Sequence, residues 1–260
     1  MWNQILDIIF PSSIYCISCR SIIDKSRPYA LCDDCMTTFR WATGKTCEKC
    51  GKILQENYKH ETCIDCRESD HEFTKGYTCV QYGVKERELL LAFKYGGQSF
   101  IGDKIADVMA DRLVSENLEI DLIVPVPMHK NKQNKRGYNQ AGVIAKSLSK
   151  KLALPYFEKV LIRTENTPAM SGLTSFERRI NMENAFCLDE SLAGEIKGKR
   201  VLLVDDIYTT GSTVSACSRI LKEQGACDIR VITFAAGVNS FVGFSAVSDS
   251  NTDLKLDSDS

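Results

Sequence analysis

Arg200-Val-Leu-Leu-Val-Asp205-Asp206-Ile-Tyr-Thr209-Thr210-Gly211-Ser212-Thr213 is the stretch that decides the fold. Val201–Val204 is an uninterrupted apolar run, which marks a strand buried on both faces. It ends in adjacent carboxylates, and a short loop of hydroxyls and one glycine follows. Val214, Cys217, Ile220 and Leu221 then recur on one side of a predicted helix, Thr213–Glu223. The same texture extends outward. Tyr77–Tyr82, Asp121–Val126 and Ile229–Phe234 read as strands; Val84–Tyr95, Ser99–Ser115 and Asn139–Leu152 read as helices. Strands alternating with helices imply an α/β fold, with a mainly parallel sheet covered by helices on both faces.

The decisive stretch also carries chemistry. Backbone N–H groups at a helix start are unpaired, and the helix dipole favours an anion there. Gly211 lets the backbone approach a phosphate, and Thr209, Thr210, Ser212 and Thr213 add hydroxyl donors. Asp205 and Asp206 suit vicinal ribose hydroxyls, which donate hydrogen bonds. Ligands in open α/β sheets sit at the carboxyl ends of strands, where this segment lies. A capped strand–loop–helix connection needs fewer polar groups than this. No G-x-x-x-x-G-K-[ST] exists in the chain, so a nucleotide-binding P-loop is excluded, and the Asp pair lacks the partner a Walker B site needs. A sugar phosphate is the ligand predicted. Two like charges side by side are costly when buried. Neutralising both carboxylates is therefore expected to leave stability unchanged or to raise it.

Upstream, the chain is dominated by cysteine. Of 12 cysteines, eight fall in four C-x-x-C pairs between Cys16 and Cys66. Cys16, Cys19, Cys32 and Cys35 recur as Cys47, Cys50, Cys63 and Cys66, shifted by 31 positions. A unit this short cannot bury a core of its own, so metal is expected to replace it. Zinc takes four thiolates in a tetrahedron, and each C-x-x-C turn supplies a pair. The repeat favours one ion per unit. A cross-braced arrangement, Cys16, Cys19, Cys47 and Cys50 against Cys32, Cys35, Cys63 and Cys66, stays open, and iron–sulfur binding is the minor alternative. Gly51 suits the tight turn of a zinc knuckle. Closed four-thiolate sites are structural and leave no open position for chemistry. Cys79, Cys187, Cys217 and Cys227 read as small buried hydrophobes, and His60, His71 and His129 as surface side chains.

Composition bounds the rest. A formal net charge of -1, with 43% hydrophobic and 26% charged residues, reads as a soluble globular protein and excludes a polybasic one. No apolar run approaches the length of about 18 residues needed to span a membrane. Met1–Pro11 lacks a basic start and a cleavage site, and reads as a short amphipathic helix packed on the body. A cytoplasmic protein is expected. The Ser- and Asp-rich end from Ser245 reads as a disordered tail. The organisation expected is a metal module over residues 1–72, the α/β domain over 73–240 and the tail over 241–260.

The stretch Val201–Thr213 resembles the ribose-phosphate-binding signature of type I phosphoribosyltransferases. Ile123-Val-Pro-Val-Pro127 and Arg136-Gly-Tyr-Asn-Gln-Ala141 are similar to the ComF family, the competence-associated branch of that fold. So are Phe93-Lys94-Tyr95-Gly96, Arg163, Thr167-Pro168, Ser171-Gly-Leu173, Arg178-Arg-Ile-Asn181, Ala185-Phe186 and the C-x-x-C pairs. The resemblance runs from roughly Ile5 to Phe234. It implies binding of phosphoribosyl pyrophosphate with Mg²⁺, with Asp205 and Asp206 on the ribose hydroxyls and Thr209–Thr213 on the 5′-phosphate. His129, Lys130, Lys132, Lys135 and Arg136 follow Val126. By the resemblance this segment takes the place of the pyrophosphate-contacting loop, with Arg136 as the contact and Lys94 as a second candidate. Read alone, Lys130–Lys135 is a solvated turn. Thr164–Asn181 resembles a lid that closes over the site, and Met170 stands where relatives usually carry Gln.

Two functional classes remain open. One is a transferase that moves the phosphoribosyl group to an unknown acceptor. The other is a non-catalytic factor in DNA uptake during natural transformation, binding single-stranded DNA or protein partners such as a DNA-uptake helicase.

Overall fold

The computed structural model describes residues 14–164 and 185–239. The expectations for Met1–Pro11, for the lid segment after Thr164 with Met170, and for the C-terminal tail lie outside the described residues.

Four parallel strands form the central sheet, in the order β1 (Lys75–Gln81), β6 (Asp228–Ala236), β5 (Arg200–Tyr208), β2 (Leu122–Pro125). On one face pack helices α3 (Val84–Tyr95), α4 (Phe100–Val114) and α6 (Gln140–Leu152), which bury Leu89, Phe93, Ile101, Ile105, Ile144 and Leu148 against Leu202, Val204 and Ile232. On the other face α7 (Ser212–Glu223) buries Val214, Cys217 and Leu221 against Val201, Leu203 and Val231. A short antiparallel pair, β3 (Leu161–Arg163) with β4 (Phe186–Leu188), joins that second face. Pleat alternation sends Leu202 and Leu203 to opposite cores, which is why the run had to be apolar throughout.

The structure departs from the sequence reading in two places that matter for the site. β5 does not stop at Val204. β6 keeps pairing with it, Asp205 opposite Thr233, Ile207 opposite Ala235 and Tyr208 opposite Ala236, so both carboxylates lie within the strand. The basic segment is not a solvated turn but a helix, α5 (Lys130–Arg136). His129 Nδ1 accepts from the Asn131 amide at 3.2 Å, and Gly137 ends the helix in the left-handed region. His129 is therefore a cap and not a plain surface side chain.

The cysteine module lies along the outer edge of β1. Ala42 N donates to Cys79 O at 2.8 Å, Gln81 N to Arg40 O at 2.8 Å, and Gly76 N to Lys49 O at 2.7 Å. Short helices α1 (Asp33–Thr38) and α2 (Ile64–Glu68) follow the second C-x-x-C start of each unit. Gly51, at φ +77°, sits where any Cβ would come within 2.8 Å of Gly76 O and Thr78 N, so knuckle and strand touch backbone to backbone. The two units divide between the two cores. Cys16 and Cys35 join the one beneath α3 and α4, and Cys47, Cys50 and Cys63 join the one beneath α7. The module thus straddles the edge of the sheet.

Candidate functional site

At the carboxyl end of β5 the chain turns into α7 through Gly211, whose φ of +86° only glycine adopts without strain. A Cβ there would overlap the Tyr208 hydroxyl and lie 2.8 Å from His71 Cε1. Ser215 N donates to Gly211 O at 2.8 Å, closing the first helical turn, and the Thr210 and Ser212 hydroxyls lie 2.9 Å apart. Thr209 is exposed, and Thr210, Ser212 and Thr213 are half-buried around the helix start. The arrangement can receive an anion on the helix-start amides with hydroxyls beside them.

The two carboxylates are not equivalent. Asp206 pairs with Lys94 of α3, Nζ to Oδ2 at 2.6 Å. Burial works to lower the Lys94 pKa, but Asp206 and Asp205 together hold it above its ordinary value. Among the described residues Asp205 has no ion pair of this kind; its Oδ1 accepts from the Asp206 amide at 2.8 Å. Burial first, and then the charge of Asp206, push its pKa up to about 8. The pair therefore sits as one carboxylate bound to a cation, Asp206, and one that resists ionisation, Asp205. Hydroxyl donors or a cation would relieve that tension.

Arg136, at the end of α5, donates from Nη1 to Gln140 Oε1 at 3.1 Å and from Nη2 to Tyr95 Oη at 3.0 Å. Its guanidinium carbon lies 5.0 Å from the Tyr95 ring centroid. The charge of Arg136 reaches Lys94 and works to lower its pKa, which puts Arg136 in the neighbourhood of the Lys94–Asp206 pair. The structure thus gathers Asp205, Asp206, Lys94 and Thr209–Thr213 at one junction, with Arg136 tied to its rim.

Two residues here carry more than the sequence reading gave them: Arg163 was noted only as a point of family similarity, and His71 only as a surface side chain. Arg163 of β3 is half-buried; partial burial lowers its pKa, and the charges of Cys217 and Asp205 work against that shift. His71 is half-buried and bonds Tyr208 Oη at 3.2 Å. Its partner stands 137 positions away, so no local signal could announce it. His60 is exposed, as expected. Of the isolated cysteines, Cys79 and Cys217 are buried as expected, whereas Cys187, in the middle of β4, and Cys227, in the bend before β6, are exposed.

The cysteines form two quartets, Cys16, Cys19, Cys32, Cys35 and Cys47, Cys50, Cys63, Cys66, each with its sulfurs within 4.8 Å of one another. This is the sequential assignment, and it removes the cross-braced one. Cys19 and Cys32 Sγ are 3.5 Å apart, and Cys50 and Cys63 Sγ are 3.6 Å apart. A zinc tetrathiolate has sulfur–sulfur edges of about 3.8 Å. The Cys32 and Cys63 amides point at Cys16 Sγ and Cys47 Sγ at 3.4 and 3.2 Å, the backbone support that thiolate ligands receive around a metal. Protein purified under reducing conditions should carry about two zinc per chain by elemental analysis. About one would reduce the module to a single true site, and none, with the fold intact, would remove the metal altogether.

No helix among the described residues is long and apolar enough to cross a membrane.

The family match for the phosphoribosyl transferase domain covers residues 98–241, and that for the double zinc ribbon domain covers residues 5–67. Competence protein F of Haemophilus influenzae is 31% identical over 221 residues, 83% of this chain and 94% of that protein. DNA utilization protein YhgH of Escherichia coli K12 is 27% identical, over 78% of this chain and 88% of its own length. Competence protein ComFC of Bacillus subtilis is 27% identical, over 81% and 82%. Among solved structures, adenine phosphoribosyltransferase from Saccharomyces cerevisiae aligns over 65% of this chain and 82% of that one, at 16% identity and a TM-score of 0.36. The zinc ribbon match coincides with the two cysteine quartets, and the transferase match contains the β5–α7 junction. The chain belongs to the ComF family: a phosphoribosyltransferase-type domain preceded by a double zinc ribbon with two four-cysteine sites.

Proposed function

We propose that this chain binds phosphoribosyl pyrophosphate, or a closely related sugar phosphate, with Mg²⁺ at the β5–α7 junction. The observation that carries this reading is the Lys94–Asp206 pair standing at the same strand end as the Gly211-led helix start. Asp205 and Asp206 accept from the ribose hydroxyls. The amides and hydroxyls of Thr209–Thr213 hold the 5′-phosphate. Arg136 stabilises the charge that gathers on pyrophosphate as it leaves C1, and Lys94 holds Asp206 in register beneath the ribose. The carboxylate oxygens are hard donors of the kind Mg²⁺ takes, and the ion supplies neutralisation of the pyrophosphate when it is bound. Titration calorimetry with phosphoribosyl pyrophosphate, with and without Mg²⁺, tests the reading. Absence of both binding heat and a melting shift at saturating ligand would overturn it. Labelled phosphoribosyl pyrophosphate offered with a panel of bases then separates turnover from binding.

A second reading has its own support. The relatives are named for competence and DNA utilization, and α5 presents exposed Lys130 and Lys135 beside Lys132. We infer a role in handling incoming single-stranded DNA in the cytoplasm, with a DNA-uptake helicase as the class of partner. Changing Lys130, Lys132 and Lys135 to Ala should weaken binding of a labelled oligonucleotide. The slope of log affinity on log salt should become shallower by about 2, since each lost phosphate contact contributes roughly 0.7 for single strands. An unchanged slope in fluorescence anisotropy would place DNA contacts elsewhere.

A further inference from the structure

We propose that the second cysteine quartet positions the phosphate loop through Tyr208 and His71, so that metal occupancy and sugar phosphate binding reinforce each other. This inference rests on the sugar phosphate reading of the β5–α7 junction.

Tyr208 is the hinge of the argument. It is the last residue of β5, it is 2% exposed, and its ring belongs to the same core as Cys47, Cys50 and Cys63. Its hydroxyl lies 3.9 Å from Cys66 Sγ and 3.2 Å from His71 Nε2. His71 in turn stacks on Phe73 at 5.2 Å between centroids, and Phe73 meets the Tyr208 ring edge-on at 6.3 Å. Against that hydroxyl lies Gly211, packed so closely that a Cβ would overlap it and come within 2.8 Å of His71 Cε1. One phenol therefore touches a metal ligand, a histidine of the module and the glycine whose left-handed turn aims the helix amides.

Further ties run the same way. The Glu72 amide donates to Ser215 Oγ at 3.1 Å, fixing the first turn of α7 to the segment that follows the quartet. Lys52 is 3% exposed, pairs with Asp65 between Cys63 and Cys66 at 2.5 Å, and lies 5.6 Å from the Tyr208 centroid. The Ile64 amide donates to Asn239 Oδ1 at 3.1 Å. Residues 63–73 thus form a buttress behind residues 208–215. α2 within it is a five-residue helix, too short to hold its shape without the thiolate anchors at Cys63 and Cys66. Without metal the buttress loosens, Tyr208 loses its backing, and the Gly211 turn relaxes away from the geometry that presents amides to a phosphate. The first quartet lies in the other core, on the opposite face of the sheet, and has no part in this chain of contacts.

Such coupling is reciprocal: the factor by which metal tightens the ligand equals the factor by which the ligand tightens the metal. The test uses the full zinc-loaded chain, ribose 5-phosphate as the probe and a competing chelator. Saturating ribose 5-phosphate should make one of the two zinc equivalents harder to remove by a factor on the order of 5–10. In the cobalt-substituted protein it should shift the thiolate-cobalt absorption of that same site. Tyr208→Phe keeps the ring and both quartets, and should bring the factor close to one with the cobalt shift lost. His71→Gln tests the same route from the module side where Tyr208→Phe fails to fold. Native protein that binds ribose 5-phosphate with zinc release unchanged overturns the coupling and leaves the binding site standing. Equal protection of both zincs overturns its assignment to the second quartet, and a factor retained in both variants overturns the route through Tyr208. Native protein that does not bind ribose 5-phosphate at all overturns the site reading itself.

Discussion

Gly211→Val abolishes the melting shift produced by phosphoribosyl pyrophosphate with Mg²⁺, and it lowers the melting temperature of the free protein. Two costs combine. A β-branched residue at φ +86° pays a left-handed penalty of about 1–3 kcal/mol. Its Cβ also overlaps the Tyr208 hydroxyl and crowds His71, so the turn must open. A combined loss of roughly 3 kcal/mol in a chain of this size corresponds to a fall of about 6–12 °C. Opening the turn rotates the first amides of α7 away from the phosphate, and affinity should drop on the order of 100-fold or more, the equivalent of about two charge-assisted hydrogen bonds. Differential scanning fluorimetry with and without ligand checks both effects. A variant that melts lower yet shows the native ligand shift would put the phosphate away from this helix start.

The second large effect separates the two carboxylates. Asp205 has a folded pKa near 8, raised by burial and by Asp206 above its ordinary value of 3.8. A carboxyl raised on folding contributes stability that is fully present below the unfolded value and is lost as pH rises through the folded one. The free protein should therefore lose stability between about pH 4 and pH 8. Asp205→Asn should remove that slope and melt higher than the native chain at pH 8. Asp206→Asn does the reverse. It leaves the Lys94 ammonium, 19% exposed, without its partner at 2.6 Å, and breaking a pair of this kind costs about 3 kcal/mol. The geometry thus splits the expectation for neutralising both acids: a gain is expected at Asp205 and a loss at Asp206, which among the described residues is the one of the two paired to a cation. For the ligand the two act together. Losing both acceptors for the ribose hydroxyls, at roughly 1.5–3 kcal/mol each, should weaken sugar phosphate binding by on the order of 100-fold or more. Any phosphoribosyl transfer should fall with it. Melting curves across pH and calorimetry on the single and double variants measure this. A double variant that binds sugar phosphate as the native chain does would move the site to another part of the sheet.

What was legible in the sequence is what periodicity and spacing encode. The apolar run Val201–Val204, the recurrence in Asn139–Leu152 and the 31-residue repeat of C-x-x-C pairs are local patterns, and the sheet, the helices and the quartets followed them. What was not legible depends on partners distant in the chain. β5 continues to Tyr208 because β6 accompanies it, a fact of pairing and not of composition. His129 caps α5 although histidine is outside the usual capping set, so the basic segment carried no helix-start signal. Lys94 could be picked out as a cation near the site, but not as the counter-ion of Asp206, since more than a hundred residues intervene. His71 and Tyr208 read as ordinary residues until the fold placed one against the other.

The straddling of β1 bears on how such a protein can be cut, fused or inherited. A shortened chain starting near Phe73 would keep every described strand and the residues of the β5–α7 junction, without the His71 and Glu72 contacts to it. It would lose the donors and acceptors at Arg40, Ala42 and Lys49 that pair with the outer side of β1. It would also strip both faces of the sheet of their cysteine-side packing. A bare parallel edge of this kind recruits the same edge from another copy, so the fragment should accumulate as insoluble stacks and not as a smaller soluble transferase-like domain. The ribbon therefore cannot be traded like a detachable tag. Any lineage that discarded it would have to invent another cover for that strand at the same step.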